Sequence, residues 1–210
     1  MIAMKKLLKD IAYEKIKEKI LIGNDEYTSE NSLVDELQMS RTPIREALQK
    51  LQHEGFIKLL PNQGITIPEL SVKEVNDIFD FRIAIETASL KQVVHLLHQE
   101  QFNDLDMLIH EQTLAVNNND LFHFIDYDVK FHLYLLRVVG NESYIQGIKN
   151  VSERLHRLSR RIKNNHQKLF ALIQEHKNIV NYLKNKEIDT AVKELEDHLN
   201  GGKMKIYGGI

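Results

Sequence analysis

Residues 40 to 51 read Ser40-Arg41-Thr42-Pro43-Ile44-Arg45-Glu46-Ala47-Leu48-Gln49-Lys50-Leu51, and this stretch decides the fold. Ile44, Ala47, Leu48 and Leu51 recur at i, i+3, i+4 and i+7, which is one face of a helix. Arg41, Arg45 and Gln49 recur every four residues on the other side, so one face can pack while the other stays free. Ser40 is placed to cap the helix, and Pro43 is tolerated in the first turn because its missing N–H would have no partner there. A helix start carrying Arg41, Thr42 and Arg45 suits phosphates and guanine edges. A solvated basic face has the same spacing, so the flanking sequence has to separate the two readings.

Working outward, a helix is expected from about Lys5 to Leu21, stopped at Gly23, and a second from near Ser29 to near Leu37. Downstream, Phe56 to Leu60 and Ile65 to Ile67 flank the turn-like Pro61-Asn62-Gln63-Gly64, which predicts a small β-hairpin. Three helices and a hairpin in this order make a winged helix-turn-helix, and that context favours DNA as the partner of the free face. All three prolines (Pro43, Pro61, Pro68) fall in the first 68 residues, and between 69 and 200 the only glycines are Gly140 and Gly147. The second part is therefore expected to be a wholly helical bundle. Ser71-Val72-Lys73-Glu74 has capping-box spacing and opens it, so the domains are expected at 1–68 and 69–210, with a mainly α fold overall.

The composition is that of a globular chain: 210 residues, 42% apolar and 28% charged. The absence of cysteine excludes disulfides, thiolate nucleophiles and Cys-type metal sites, leaving His, Asp and Glu as metal donors. No apolar run approaches the ~18 residues of a membrane span, and no leader is recognisable, so a cytoplasmic protein without membrane contact is expected. With a formal net charge of -2, DNA binding must rest on a local basic face rather than on bulk electrostatics.

The segment Ser29-Glu30, Leu33, Glu36-Leu37, Ser40 to Leu48, Leu51, Glu54-Gly55-Phe56-Ile57 and Pro61 to Gly64 resembles the DNA-binding domain of the GntR family of bacterial transcription regulators. The resemblance implies that Arg41 and Arg45 reach bases or nearby phosphates, that Ser40 and Thr42 hold the backbone, and that Gly64 lets the wing approach the minor groove. Gln49 shares their face. Two positions depart from the pattern: Asn31 stands where the family often has Arg, and Gln38 where a Gly is common in the helix-helix turn. A positive φ at Gln38 would cost on the order of 1 kcal/mol against Gly. Beyond Pro68, Arg82 and Glu86, Asp128-Val-Lys-Phe-His132, Gly140-Asn141, Glu175-His176 and Asp197-His198 resemble the helical ligand-binding FCD domain of the FadR-type branch. That resemblance implies a metal held by one Asp and three His from three helices, and a small carboxylate effector.

The residues support the metal independently. At 100° per residue Leu121, Ile125, Asp128, His132, Leu135 and Val139 share about 80° of arc, with Asp128 and His132 in mid-stripe. His176 lies in the stripe of Leu169, Leu172, Ile179 and Leu183, and His198 in that of Ile188, Ala191 and Leu195. An ionised Asp and three imidazoles facing one core would cost several kcal/mol unless satisfied, and a divalent cation satisfies all four. Separate hydrogen-bonded groups would account for any one of them, but less easily for four on three helices. Three-nitrogen-plus-oxygen coordination with open positions suits Zn, Ni, Mn or Fe, and ligand softness does not choose among them; Zn or Ni is the expectation, with Mn or Fe as alternatives. The other histidines serve as a control: Asp106 with His110, and His95 with His98, lean away from their apolar arcs, while His53, His123, His156 and His166 read as surface or rim.

The expected function is a homodimeric, ligand-responsive transcription regulator, a repressor by resemblance, on a palindromic operator. Arg82 is the expected effector anchor, since a guanidinium can hold a carboxylate bidentately. The basic run Lys149, Arg154, Arg157, Arg160, Arg161, Lys163 and Lys168 is open to three readings: a solvated face, a second DNA contact, or arginines turned into the effector pocket. The rival functions are the same regulator with a metal-free pocket for a lipid or acyl thioester, and a helical metalloenzyme. An enzyme is disfavoured because no general base of the H-E-x-x-H kind is present and residues 1 to 68 would have no purpose.

Overall fold

The computed structural model of the chain describes residues 7–22, 27–60, 64–68, 70–155 and 165–207. They form two units, Met1–Glu69 and Leu70–Ile210. In the first, α1 (Leu8–Ile22), α2 (Glu30–Leu37) and α3 (Arg41–His53) precede β2 (Lys58–Leu60) and β3 (Gly64–Thr66). A strand not foreseen from sequence, β1 (Tyr27–Thr28), pairs antiparallel with β3 and gives a three-stranded sheet of order β1-β3-β2. Two residues are too short for any periodicity to show, so only pairing with β3 reveals it.

Ala12, Ile16 and Ile20 from α1, Leu33 from α2, the α3 stripe Ile44, Ala47, Leu48 and Leu51, and Phe56, Ile57 and Ile65 make this unit's core. Ser29 caps α2 by accepting from the Ser32 N–H at 3.1 Å. Gln38 ends α2 in the left-handed region at φ 52°, the strained conformation foreseen for this glycine-favouring turn. Ser40 does not cap as expected: its backbone is extended as an N-cap requires, but its hydroxyl makes no capping bond. Pro43 removes one of the two donors a cap side chain can take, and Ser40 does not take the other, the Thr42 N–H. A cap side chain bonds the N–H of the second or third helical residue, and proline at the third has none.

The second unit is all-helical: α4 (Val72–Val93), α5 (Gln99–Asn117), α6 (Leu121–Val139), α7 (Glu142–Leu155), α8 (His166–Lys184) and α9 (Ile188–Tyr207). The Ser71-Glu74 capping box opens α4, with both reciprocal bonds present. Asp120 caps α6, and Gly140 closes it at φ 75°. The helix α4 packs on α9 and α6, α5 on α6 and α8, and α8 on α9. One core joins them, built from Phe79, Leu105, Phe131, Leu136, Ile173, Ile179, Leu195 and their neighbours. Among the described residues no helix is long and apolar enough to cross a membrane.

Candidate metal centre and nucleic-acid interface

The apolar stripes of α6, α8 and α9 converge, and they carry their polar members to one point. Asp128, His132, His176 and His198 each offer a ligand atom within 4.8 Å of all the others. The Nε2 atoms of His176 and His198 are 3.1 Å apart, and each lies 3.3 Å from His132 Nε2. Asp128 Oδ1 lies 3.5 Å from His176 Nε2 and 3.9 Å from His132 Nε2. The three rings are buried, whereas the Asp128 side chain retains 17% exposure and marks the approach from solvent.

Each imidazole has an acceptor beside its outer nitrogen, and two of the three are hydrogen-bonded to it. His176 Nδ1 donates to Gln112 Oε1 at 2.9 Å, and the Gln112 amide is oriented by donating its own N–H to the Tyr127 carbonyl. His198 Nδ1 donates to Glu175 Oε2 at 2.8 Å. His132 Nδ1 lies 2.6 Å from Glu86 Oε2, but off the line of a well-aligned hydrogen bond, so Glu86 acts on this ring mainly through its charge. With protons drawn to Nδ1, three Nε2 lone pairs face one another across 3.1 to 3.3 Å and cannot satisfy each other. Tetrahedral Zn–N bonds of about 2.0 to 2.1 Å would separate their nitrogens by about 3.3 Å, so the donor set fits a divalent cation in both spacing and chemistry.

Burial pushes the Glu86 carboxyl up, but the charges of Arg82 and His132 outweigh it and hold the group at about 2. Burial pushes the His198 imidazole below its ordinary value, against the Glu175 bond that raises it, which favours the neutral ring a metal needs. Arg82 is itself buried, with Nε 2.7 Å from Glu86 Oε1, and its Nη2 has no partner among the described residues. Gln112, Glu86 and Glu175 are functional candidates that the sequence reading did not place in the site. A signal existed for Gln112, fully buried in α5 beside Leu105, Ile109 and Val116 at helical spacing. The control histidines 53, 95, 98, 110 and 123 are exposed and His166 half-buried, while His156 lies outside the described residues.

In the N-terminal unit Ser40, Arg41, Thr42, Arg45 and Gln49 are all exposed, while the opposite stripe of α3 is sealed in the core. Arg45 Nε contacts both carboxylate oxygens of Glu30, at 3.0 and 2.9 Å. Gly64 opens β3 at φ 101°, a conformation that favours glycine. The preceding turn, 61–63, lies outside the described residues, as do Arg157, Arg160, Arg161 and Lys163 of the basic run. Arg154 pairs with Glu74 at 2.6 Å, which joins α7 to the start of α4.

Comparison with known proteins gives the same division. The model "Bacterial regulatory proteins, gntR family" matches residues 8–67, and the FCD domain model matches residues 77–201. The gluconate operon transcriptional repressor of Bacillus licheniformis is 29% identical over 192 residues, 89% of this chain and 78% of that protein. The HTH-type transcriptional repressor RspR of Escherichia coli K12 is 25% identical over 171 residues, 81% of this chain and 75% of its own. Among solved structures, E. coli McbR/YncC superposes with a TM-score of 0.82 at 20% identity, over 97% of this chain and 99% of that one. A GntR regulator of Rhodococcus sp. RHA1 gives 0.83 at 15% identity over 95% and 97%, and at such identities the likeness is one of fold. A winged helix with an exposed basic α3, followed by a helical FCD bundle, thus places this chain in the GntR family of DNA-binding transcriptional regulators rather than among enzymes.

Proposed function

We propose that the chain is a homodimeric cytoplasmic repressor whose operator affinity responds to a small carboxylate bound beside a divalent metal. Residues 1–68 read a palindromic operator and residues 69–210 sense the ligand. In this reading Arg41, Arg45 and Gln49 reach the major groove, Ser40 and Thr42 hold phosphates, and Gly64 admits the wing to the minor groove. Asp128, His132, His176 and His198 hold the metal, with Zn or Ni favoured over Mn or Fe. A bound cation would supply a Lewis-acidic centre with positions open to a carboxylate oxygen.

The observation that carries the sensing half is the trio of buried Nε2 atoms facing one another, with His176 and His198 bonded through Nδ1 to Gln112 and Glu175 and His132 Nδ1 beside the Glu86 carboxylate. Glu86, Gln112 and Glu175 orient the rings, and the unsatisfied Arg82 Nη2 supplies a buried cation for an effector carboxylate. Effector binding favours one packing of the bundle and changes operator affinity through the connecting segment 68–72. Elemental analysis of the purified chain tests the metal: about one equivalent is expected in wild type and none in His176→Ala. A thermal-shift screen of organic acids, with and without chelator, tests the sensing. The relatives named for the gluconate operon make sugar acids its first compounds. A metal-free chain that responds instead to acyl thioesters would replace this reading with a lipid-sensing one.

A further inference from the structure

Glu30 sits against Arg45, on the face that the proposed function turns toward DNA, where a carboxylate would repel phosphates and lower affinity for every sequence. It is not needed as a cap, because Ser29 fills that role at the start of α2. Its charge favours the positive end of the α2 dipole, which any acidic residue in that turn would do equally. What is particular to Glu30 is its partner. Both of its oxygens take the Nε of Arg45, fifteen residues away on the recognition helix. Arg45 makes no other hydrogen bond among the described residues and keeps 60% of its side-chain exposure.

We propose that Glu30 is the positioning residue for operator readout: by holding Arg45 through Nε, it fixes the guanidinium plane and leaves both terminal nitrogens for a guanine edge. An arginine must surrender rotamer freedom to read a base, and a fork already anchored has less to lose. The anchoring carboxylate weakens binding to all DNA but strengthens discrimination at the base Arg45 meets. Glu30 therefore trades affinity for specificity. The inference rests on the base-reading role proposed above for Arg45.

The test uses the full chain and the duplex it enriches from a randomised library, with single base-pair variants of that duplex and a random duplex of equal length. Binding is followed by fluorescence anisotropy for wild type, Glu30→Ala, Glu30→Gln and Arg45→Ala. Glu30→Ala is expected to tighten binding to the random duplex by about threefold, through loss of one repelling charge. It is also expected to lower the operator-to-random ratio by about tenfold, near the lower end of what one bidentate contact supplies. The lost discrimination should fall on the base pair at which Arg45→Ala also loses it. Glu30→Gln keeps one acceptor and should lie between, and it serves in place of Glu30→Ala if that variant melts early. Equal tightening on both duplexes would reduce Glu30 to a bulk charge and overturn the proposal. Tightening on the operator alone would make Glu30 a mask over Arg45 and overturn it equally. If Arg45→Ala leaves the ratio unchanged, the base-reading premise has failed and the proposal falls with it; if Arg45→Ala lowers the ratio and Glu30→Ala does not, only the positioning role falls.

Discussion

Glu86 carries two contacts at once, Arg82 on one oxygen and His132 on the other, all three of them buried. Removing its charge strands the Arg82 guanidinium, and breaking a buried pair costs about 3 to 5 kcal/mol. Glu86→Gln should therefore lower stability by that amount at pH 7 in chelator-treated protein, measured by urea denaturation. Its carboxyl is held at about 2, below the ordinary 4.5, so its contribution is complete above pH 4.5 and is lost as pH falls toward 2. The gap between wild type and Glu86→Gln should accordingly close over that window, and a gap that stays constant would mean the charge is not what matters. Gln38 offers the converse change: at φ 52° it occupies a position glycine adopts freely, so Gln38→Gly should raise the urea midpoint by the equivalent of about 0.5 to 1 kcal/mol. Arg45→Ala should weaken operator binding by about 1 to 3 kcal/mol with no change in melting temperature. Residue identities of this kind are legible where a turn or a stripe demands them, as at Gln38 and His176. They are not legible where the role is set by a neighbour on another helix, as with Glu175 beneath His198 or Glu30 beside Arg45.

Helix starts show how far local chemistry reaches. Ser71 accepts from the Glu74 N–H, and Glu74 accepts in return from the Ser71 N–H at 2.8 Å, so the sequence alone fixes where α4 begins. What the sequence does not reveal is that the other Glu74 oxygen takes Arg154 from α7. Ser71→Ala should cost about 1 kcal/mol by thermal denaturation, as cap removal does elsewhere. Ser40→Ala should cost less in folding, since its hydroxyl makes no capping bond in α3, while loss of the phosphate contact proposed for it should weaken operator binding. The difference between these two serines lies three residues downstream, in a glutamate that reciprocates and a proline that cannot donate. The sequence pattern also foresaw the amphipathic α3 and the inward stripes of α6, α8 and α9, because a period of 3.6 with apolar members is a local property. The strand β1 escaped notice because its only signature is its partner.

At the scale of the molecule, a ligand that binds only the folded state stabilises it by about 2.7 kcal/mol at a hundred times its dissociation constant. Under the proposed metal reading, chelation should lower the melting temperature by several degrees, and restoring Zn or Ni should recover it in wild type but not in His176→Ala. No chelation effect in metal-replete protein would remove the metal from the account. The sequence by itself determined the winged helix, the helical character of the remainder and the inward direction of Asp128, His132, His176 and His198, because capping, turn chemistry and periodicity act within a few residues. Only the tertiary structure decided that those four meet within 4.8 Å, that Gln112 and Glu175 bond the outer nitrogens of His176 and His198 while Glu86 lies beside that of His132, and that Glu30 holds Arg45. These are contacts between helices far apart along the chain, and their distances follow from how side chains interlock, which no periodicity along one helix encodes.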